Sequence, residues 1–421
     1  MHSLSRRSLL RAAGAAGLSF SSLRGLFLED DPATGPRKPT LVVVFLRGGI
    51  DGLNLVVPHG EAAYYRLRPQ LAVPRPSAKG EGGALDLDGF FGLHPAARAL
   101  APLFESGAAA AVHAVGTERN TRSHFEEQDR WETAVDGADL ETSGWLNRVL
   151  ADGRGRGPIR AIALGDRLPR SLRGDVAALA LRGLDDLVPR GGSQADLDRT
   201  LAALGRAYGR DSKDSDVRSL LERGGRASLE ALEQLRSVAE SPPASNVEYP
   251  DTEIGRRARE VARLVRADVG LEIIELDAGG WDTHENQGAV QGQYANRLRA
   301  LADALAALVR DVEQDRDDVV VVTVSEFGRT AAQNGTYGTD HGWGSCVLAI
   351  GGPVRGAAER RSGPVLGEWP GLEREQLNQG RDLAHTTEFR DVYAELVRFL
   401  GDVALDVALP GHEPVPVGLF A

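Results

Sequence analysis

The fold is decided by the stretch LVVVFL at residues 41–46, which RGGIDGLN at residues 47–54 follows directly. A continuous apolar run that ends in a Gly48-Gly49 turn is typical of a strand buried on both faces of a parallel sheet. Five further runs of this kind lie at residues 109–115, 159–164, 271–276, 319–324 and 345–350. Helix-like apolar spacing lies between them, at residues 95–104, 126–135, 145–150, 290–312 and 387–400. The alternation predicts an α/β fold, with a mostly parallel central sheet and helices on both faces.

Two regions depart from this alternation. Residues 191–268 are rich in Arg, Glu, Ala and Leu and contain no strand-like run, so we interpret them as a helical insertion. Residues 1–28 carry Arg6-Arg7 ahead of the small and apolar run 12–20, a pattern that predicts a twin-arginine signal peptide, with a short amphipathic helix as the alternative. The remainder, residues 29–421, is predicted to be one domain.

The predicted signal has consequences for location. It implies export to the periplasm or the extracellular space, with the twin-arginine translocase as a partner during export. The apolar run is shorter than the ~20 residues that a membrane-spanning helix needs, so no stable membrane span is predicted there.

Charge and cysteine content exclude several classes of protein. The chain of 421 residues has 60 acidic and 49 basic side chains, a net charge of −11, which argues against a nucleic-acid partner. Its single cysteine, Cys346, rules out an intrachain disulfide and metal sites built from thiolates. Histidine, aspartate and glutamate are therefore the candidate metal ligands.

Acidic and imidazole side chains follow three of the predicted strands. In order along the chain they are Asp51, then Asp282 and His284, then Glu326, Asp340 and His341. Ligands of open α/β sheets bind beyond the carboxyl ends of the strands. Carboxylates flanked by glycines and placed beside histidines offer the oxygen and imidazole ligands of a divalent cation. The pattern therefore predicts a metal site at this edge of the sheet.

Two other interpretations of these residues are a structural role and a nucleotide site. Asp51 and Asp282 could cap the N-termini of helices while His341 packs in a loop. A nucleotide site is disfavoured, because Gly48-Gly49-Ile50-Asp51-Gly52 lacks the G-x-G-x-x-G spacing and the chain has no P-loop lysine.

A second polar cluster, NTRSHFEEQ, occupies residues 120–128. One interpretation is the N-terminus of a helix, with Thr121 or Ser123 as the capping residue. The other is catalytic, with the hydroxyl of Thr121 or Ser123 as a nucleophile activated by a nearby metal and an arginine holding an anionic substrate. Both interpretations place this cluster at the start of a helix.

Five motifs and the twin-arginine start together resemble the bacterial family of unknown function DUF1501. The motifs are FLRGGIDGLN (45–54), RSHFEEQD (122–129), GGWDTHENQ (279–287), VSEFGRT (324–330) and NGTYGTDHGWG (334–344). The resemblance covers essentially the whole chain. It implies the alkaline-phosphatase-like fold of the alkaline phosphatase and sulfatase superfamily, whereas the family's own activity is not established.

The resemblance implies an exported, metal-dependent hydrolase of phosphate or sulfate esters that uses two divalent ions, drawn from Zn, Mn, Mg and Ca. The implied metal ligands are Asp51, Asp282, His284, Glu326, Asp340 and His341. The implied catalytic residues are Ser123, Thr121 and His124, together with Arg47, Arg122 and Arg329 to neutralise the anion of a small-molecule or cell-envelope substrate.

The alternative function is a non-catalytic binding or assembly protein of the cell envelope that retains the fold. In several relatives the nucleophile stands four positions before a His or Arg, and counting back from His124 gives Asn120, an amide that cannot attack. Glu326 likewise stands where relatives more often carry Asp-His.

Overall fold

Strand β1 (Thr40–Arg47) lies inside the central sheet of the computed structural model, and all of its residues except Arg47 are buried. The structure describes residues 38–77, 82–137, 142–152, 159–187, 230–241, 245–314, 316–356, 363–401 and 403–420. Alternate side chains of β1 enter two separate cores. Val42 and Val44 pack into one core and Val43 and Phe45 into the other, so the sheet is covered on both faces.

The remaining strands are β2 (Val56–Val57), β3 (Leu85–Asp86), β4 (Gly92–Leu93), β5 (Ala109–Gly116), β6 (Ala161–Leu164), β7 (Leu179–Leu181), β8 (Ile273–Gly279), β9 (Val319–Val324), β10 (Ser345–Gly351), β11 (Val365–Leu366) and β12 (Thr387–Glu388). The order across the large sheet is β11-β5-β10-β9-β1-β8-β6-β7, with β12 also paired to β5. Strands β2, β4 and β3 form a small antiparallel sheet. All six predicted strands are present, with ends shifted by a few residues.

Strand β10 is antiparallel to both of its neighbours, β5 and β9, whereas the other pairs in the large sheet are parallel. The predicted α/β fold with a mostly parallel sheet is confirmed. The direction of β10 matters for the site, because its first residue lies at the edge where β1, β8 and β9 end. Residues just before β10 therefore reach the same edge as residues just after those three strands.

The helices are α1 (Gly52–Leu55), α2 (Ala62–Leu67), α3 (Ala101–Glu105), α4 (His124–Thr133), α5 (Trp145–Asp152), α6 (230–240), α7 (Glu253–Arg266), α8 (Gln293–Val312), α9 (Gly352–Gly356), α10 (Phe389–Leu400) and α11 (Leu405–Ala408). Short 3₁₀ helices span Pro95–Leu100, Arg170–Leu172 and Leu184–Leu187. The predicted helix at 95–104 is thus a 3₁₀ turn followed by α3. In the ranges that the structure describes, no helix is long and apolar enough to cross a bilayer.

The helices form two layers. Helices α7 and α8 contribute buried residues such as Val261 and Leu305 to the core that holds Val42, and α4, α5 and α10 contribute to the opposite core, which includes Trp131. Of the predicted insertion at 191–268, α6 and α7 are described as helices, while residues 191–229 and 242–244 lie outside the described residues. The predicted signal at residues 1–28 also lies outside them, so both boundaries stay predictions.

Two buried histidines, His94 and His113, are held in the neutral state by burial, and main-chain groups occupy both nitrogens of each ring. The Nδ1 atoms accept hydrogen bonds from the amides of Ala96 (3.0 Å) and Ala114 (2.9 Å) respectively. The Nε2 groups donate to main-chain carbonyls, 2.9 Å for His94 and 3.0 Å for His113. Burial is the main cause that lowers the pKa of each from 6.5 to about 4.

This depressed pKa predicts a loss of stability in acid. Between pH 6.5 and 4 the unfolded chain binds protons at these histidines and the folded chain does not, so the free energy of unfolding falls as the pH is lowered through this window. Each histidine contributes up to about 3 kcal/mol to that fall. Urea unfolding at a series of pH values measures it, with His113→Gln expected to flatten the dependence. Equal pH dependence in the two proteins would contradict this prediction.

Candidate metal centre

The loop after β1 lies directly against the loop after β8. Gly48 has φ of +120°, and a Cβ atom added to it would stand 2.6 Å from the backbone nitrogen of Asp282. Only glycine tolerates both that backbone conformation and that close approach. The amide of Trp281 donates to the carbonyl of Arg47 across the same contact, at 3.3 Å. The Gly-rich turn therefore allows Asp282, three residues beyond the end of β8, to lie beside the end of β1.

Four side chains meet at this edge and form what we call the imidazole cluster: His124, Asp282, His284 and His341. The Oδ1 atom of Asp282 lies 3.0 Å from Nε2 of His284 and 3.1 Å from Nε2 of His341. Those two Nε2 atoms are 3.0 Å apart. His124 completes the cluster, with its Nε2 3.5 Å from Oδ2 of Asp282. One ligand atom each from His124, Asp282 and His341 all lie within 4.8 Å of one another.

Each imidazole is oriented by a hydrogen-bond acceptor at its other nitrogen. Nδ1 of His124 lies 2.8 Å from Oε1 of Glu326, and Nδ1 of His284 lies 3.0 Å from Oδ1 of Asp340. Nδ1 of His341 donates to the carbonyl of Arg122 at 2.8 Å. Carbonyl and ionised carboxylate oxygens only accept, so a neutral imidazole with its hydrogen on Nδ1 satisfies each of these partners and leaves Nε2 free to bind a metal.

This tautomer leaves the Nε2 lone pairs of all three histidines facing Asp282. In this tautomer Nε2 of His284 and Nε2 of His341, which lie 3.0 Å apart, cannot hydrogen-bond to each other, because neither carries a hydrogen. A divalent cation among the three Nε2 atoms would bind the lone pairs of all three histidines. A histidine that binds metal through one nitrogen and donates from the other to a carboxylate or carbonyl is the usual arrangement in proteins. The residues present therefore fit a metal ion with three nitrogen ligands and one carboxylate.

The carboxylates around the cluster are held in the ionised state. Burial favours the neutral form of Asp282, but the hydrogen bond and charge of Arg329, together with His284 and His341, lower its pKa below the ordinary value. Burial also opposes ionisation of Glu326, yet hydrogen bonds from His124, Gln128 and the amide of Gly48 lower its pKa. Asp282 therefore carries the negative charge that a cation ligand needs.

The structure distributes the six predicted ligands over three kinds of place. Asp282, His284 and His341 lie in the cluster, together with His124, which the sequence placed among the catalytic residues. Glu326 and Asp340 contact the far nitrogens of His124 and His284. Asp51 is fully buried and pairs with Arg68, whose Nη1 lies 2.7 Å from its Oδ2.

Asp51 connects to the cluster through a buried polar network. Gln287 donates from Nε2 to Asp51 at 2.5 Å and accepts at Oε1 from the hydroxyls of Thr283 (2.8 Å) and Thr339 (2.7 Å). Nε of Arg329 donates to the Thr339 hydroxyl at 3.2 Å. Asp51 therefore lies outside the imidazole cluster and is linked to Arg329 through the side chains of Gln287 and Thr339. Arg68 and Gln287 were not among the predicted site residues; Arg68 follows the C-terminus of α2, and Gln287 lies in a loop.

The three arginines predicted to bind an anion all pair with carboxylates of the chain. Arg47 lies 2.7 Å from Asp277 and 2.6 Å from Glu132, and Arg122 lies 2.6 Å from Asp382. Arg329, whose side chain is fully buried, lies 2.7 Å from Oδ1 of Asp282. Of the three, Arg329 is the one that touches a member of the imidazole cluster through its side chain.

The predicted nucleophiles lie at the start of α4. Ser123 occupies the N-cap position, although its side chain makes no capping hydrogen bond. The hydroxyl of Thr121 donates to Oε1 of Glu127 at 3.0 Å, and the Thr121 amide donates to the same oxygen at 2.8 Å. The loop that carries both hydroxyls leads directly into His124 and so borders the imidazole cluster.

The fold and the cluster define an α/β protein with a candidate metal centre at the carboxyl edge of its sheet. The chain belongs to the family described as protein of unknown function (DUF1501), whose sequence model matches residues 94–398. This confirms the family resemblance. No match is found among curated proteins.

A periplasmic domain and an alkaline phosphatase are among the solved structures that are similar to this chain. The C-terminal periplasmic domain of EcEptC from Escherichia coli, in complex with Zn, is 12% identical over 79% of this chain and 78% of that chain, with a TM-score of 0.34. A TAB5 alkaline phosphatase mutant with Mg bound is 8% identical over 86% of this chain and 98% of that one, with a TM-score of 0.37. Because these TM-scores are low, the fold is assigned from the strand order and strand directions of this chain and not from these structures.

Proposed function

We propose that this protein is a metal-dependent hydrolase of phosphate or sulfate esters, with the imidazole cluster as its metal centre. The observation that carries the proposal is the convergence of three Nε2 atoms on the carboxylate of Asp282, with an acceptor oxygen at each Nδ1. A bound divalent cation supplies polarisation of an ester oxygen and activation of water. The cluster offers ligands for one such ion, and a second ion stays a prediction from the family resemblance.

The donor set favours some metals over others. Mg²⁺ and Ca²⁺ prefer oxygen ligands, whereas imidazole suits Zn²⁺ and other transition-metal ions. Three imidazoles and one carboxylate support Zn or Mn over Mg or Ca. Half-exposed side chains at Asp282 and His284 keep the cluster open to a ligand from solvent.

The chain's own residues would hold and orient the reacting groups. Arg329 engages Oδ1 of Asp282, and Glu326 fixes the orientation of His124. Because the Thr121 hydroxyl is occupied by Glu127, direct attack by water is better supported than attack by Thr121. If residues 1–28 are the predicted twin-arginine signal, the protein binds its substrate outside the cytoplasm.

The test is an activity screen of protein purified without chelator. Aryl phosphates, phosphodiesters and aryl sulfates are offered with Zn, Mn, Mg or Ca, and turnover is expected with the metal that binds the cluster. Asp282→Ala is expected to abolish it. His412→Gln is the matched control, since it alters another histidine that pairs with a carboxylate, Asp391 at 2.8 Å. Turnover that survives in Asp282→Ala, or that needs no metal, would contradict the proposal.

A second candidate function is metal-dependent binding in the cell envelope without turnover. It is favoured by the pairing of Arg47, Arg122 and Arg329 with carboxylates, because a paired guanidinium is less available to a substrate anion. Metal binding combined with no turnover in the whole screen would select this function.

Glu326 offers a prediction about metal affinity. Its Oε1 accepts from His124 (2.8 Å), Gln128 (2.9 Å) and the amide of Gly48 (2.9 Å). Glu326→Gln removes the charge that raises the basicity of His124, so metal affinity is expected to fall about 10- to 100-fold. Competition with a chromophoric chelator measures the fall, and Asp391→Asn serves as a control for loss of a carboxylate beside a histidine. Unchanged affinity in Glu326→Gln would show that the charge of Glu326 does not strengthen His124 as a metal ligand.

A further inference from the structure

Arg381 is an arginine beside the imidazole cluster that is neither buried nor closely paired with a carboxylate. Its guanidinium donates from Nη2 to the main-chain carbonyl of His341, a member of the cluster, at 3.1 Å. Its Nη1 lies 3.6 Å from Oδ2 of Asp382, which is longer than an ordinary hydrogen bond. The side chain is 42% exposed. A positive charge therefore lies next to the cluster and is open to solvent.

The backbone fixes Arg381 in this place. Residues 329–331, which follow β9, form isolated antiparallel bridges to both His341 and Asp382. The amide of Ala331 also donates to the carbonyl of Arg381, at 3.1 Å. Because the backbones at His341 and Arg381 pair with the same short segment, their relative position is set by main-chain hydrogen bonds.

The charges around Arg381 leave one cation in excess. Asp382, whose side chain is fully buried, accepts at Oδ2 from Nε (2.9 Å) and Nη2 (2.6 Å) of Arg122. Arg381 lies against the same oxygen at a longer distance, so two guanidinium groups share one carboxylate. Within the part of the chain that the structure describes, the Arg381 side chain makes one hydrogen bond, although a guanidinium has five N–H groups. Most of its donors are therefore available to a ligand.

The charge of Arg381 also reaches a carboxylate that holds a candidate metal ligand. Burial opposes ionisation of Asp340, but hydrogen bonds from His284 and Asn334, together with the charges of His284 and Arg381, lower its pKa. Asp340 in turn lies 3.0 Å from Nδ1 of His284. Arg381 is therefore near the partner of one imidazole of the cluster and in contact with the main chain of another, His341.

The other arginines considered for anion binding are less available than Arg381. Arg47, Arg122 and Arg329 each have a nitrogen within 2.7 Å of a carboxylate oxygen, so an anion would compete with an existing ion pair. Arg381 can donate to an anion without losing so close a partner. Its planar guanidinium offers parallel N–H groups that match two oxygens of a phosphate or sulfate group.

We infer that Arg381 binds the anionic group of the substrate, donating to non-bridging oxygens of a phosphate or sulfate ester while the imidazole cluster holds the metal ion. The inference rests on the proposed function and assigns to it an anion-binding residue that the three paired arginines do not supply. The ligand class is a tetrahedral oxyanion, which the metal and the guanidinium bind together.

Titration calorimetry of the metal-loaded full chain with inorganic phosphate, and in parallel with sulfate, tests this role. Arg381→Gln is expected to weaken binding of the anion about 10- to 100-fold, the range for loss of a hydrogen bond to a charged group. Arg381→Lys is expected to lose less, because it keeps the charge without the planar guanidinium. Metal affinity, measured by chelator competition, is expected to stay within about threefold of the wild type. The anion that the wild type binds more tightly identifies the class of ester.

Arg355→Gln is the matched control. Arg355 is 46% exposed and pairs with Glu313 at 3.0 Å. It lies in α9, directly after β10, and the antiparallel direction of β10 places α9 at the edge of the sheet opposite the cluster. The control makes the same change in net charge as Arg381→Gln and is expected to bind the anion as the wild type does.

The outcomes separate the role of Arg381 from the proposed function. Anion affinity of Arg381→Gln within about threefold of the wild type, or an equal loss in Arg355→Gln, would overturn the role and leave the metal-dependent function standing. A parallel loss of metal affinity in Arg381→Gln would show that Arg381 acts by positioning His341, which would also overturn it. Failure of the metal-loaded wild type to bind either anion would count against the proposed function itself.

Discussion

Replacing Asp282 with asparagine is expected to weaken binding of a divalent metal by more than about a hundredfold. Loss of a residue that only orients a ligand costs about 10- to 100-fold, and Asp282 is the one carboxylate in direct contact with the facing nitrogens of His284 and His341. The variant also leaves the buried guanidinium of Arg329 without the negative charge that lies 2.7 Å away in the wild type. Chelator competition under the conditions used for Glu326→Gln measures the affinity.

The Asp282→Asn result needs a control for general damage, because Arg329 is buried. A far-ultraviolet spectrum and an unfolding curve report whether the fold persists, and His412→Gln is expected to bind metal as the wild type does. Loss of metal binding with the fold intact supports Asp282 as a ligand. Affinity within about threefold of the wild type, which is less than 1 kcal/mol, would contradict that role.

Replacing Arg68 with methionine is expected to lower the free energy of unfolding by about 3–5 kcal/mol, because it leaves the buried Asp51 carboxylate unpaired. The Arg68 side chain is fully buried, with Nη1 2.7 Å from Asp51, and its other donors reach the carbonyls of Thr330 (2.8 Å) and Ala331 (2.9 Å). Urea unfolding monitored by tryptophan fluorescence measures the change.

Two comparisons make the Arg68 result specific. Arg66→Met removes a largely exposed pairing with Glu373 and is expected to cost no more than about 1 kcal/mol. The double variant Asp51→Asn/Arg68→Met is expected to lose less stability than Arg68→Met alone, since no buried charge is left unpaired. If Arg66→Met and Arg68→Met lower the free energy of unfolding equally, the buried pair of Arg68 and Asp51 stabilises the fold no more than the exposed pair does.

The sheet could be predicted because each long strand is buried on both faces. Such strands appear in the sequence as continuous apolar runs, as β1 and β9 do. These runs can be recognised without knowing which strands lie beside them. The direction of β10 could not be predicted in the same way. An apolar run looks the same in either direction, and only the assembled sheet shows that Asp340 and His341 precede a strand that starts at the carboxyl edge.

The site was predictable in composition and less so in arrangement. Asp282, His284 and His341 were predicted as ligands from their places beside strand ends, and they lie together. His124 lies with them because the loop after β5 brings the start of α4 over the end of β8, a long-range contact with no local signal. Asp51 follows a strand end as the others do, yet Arg68 and Gln287 hold it in the interior.

The most direct test of the metal centre is anomalous diffraction from crystals grown with Zn²⁺ or Mn²⁺. We predict an anomalous peak about 2 Å from Nε2 of His124, His284 and His341 and from a carboxylate oxygen of Asp282. A well-diffracting crystal with no peak there, or with its strongest peak at other residues, would contradict the assignment of the imidazole cluster as a metal centre.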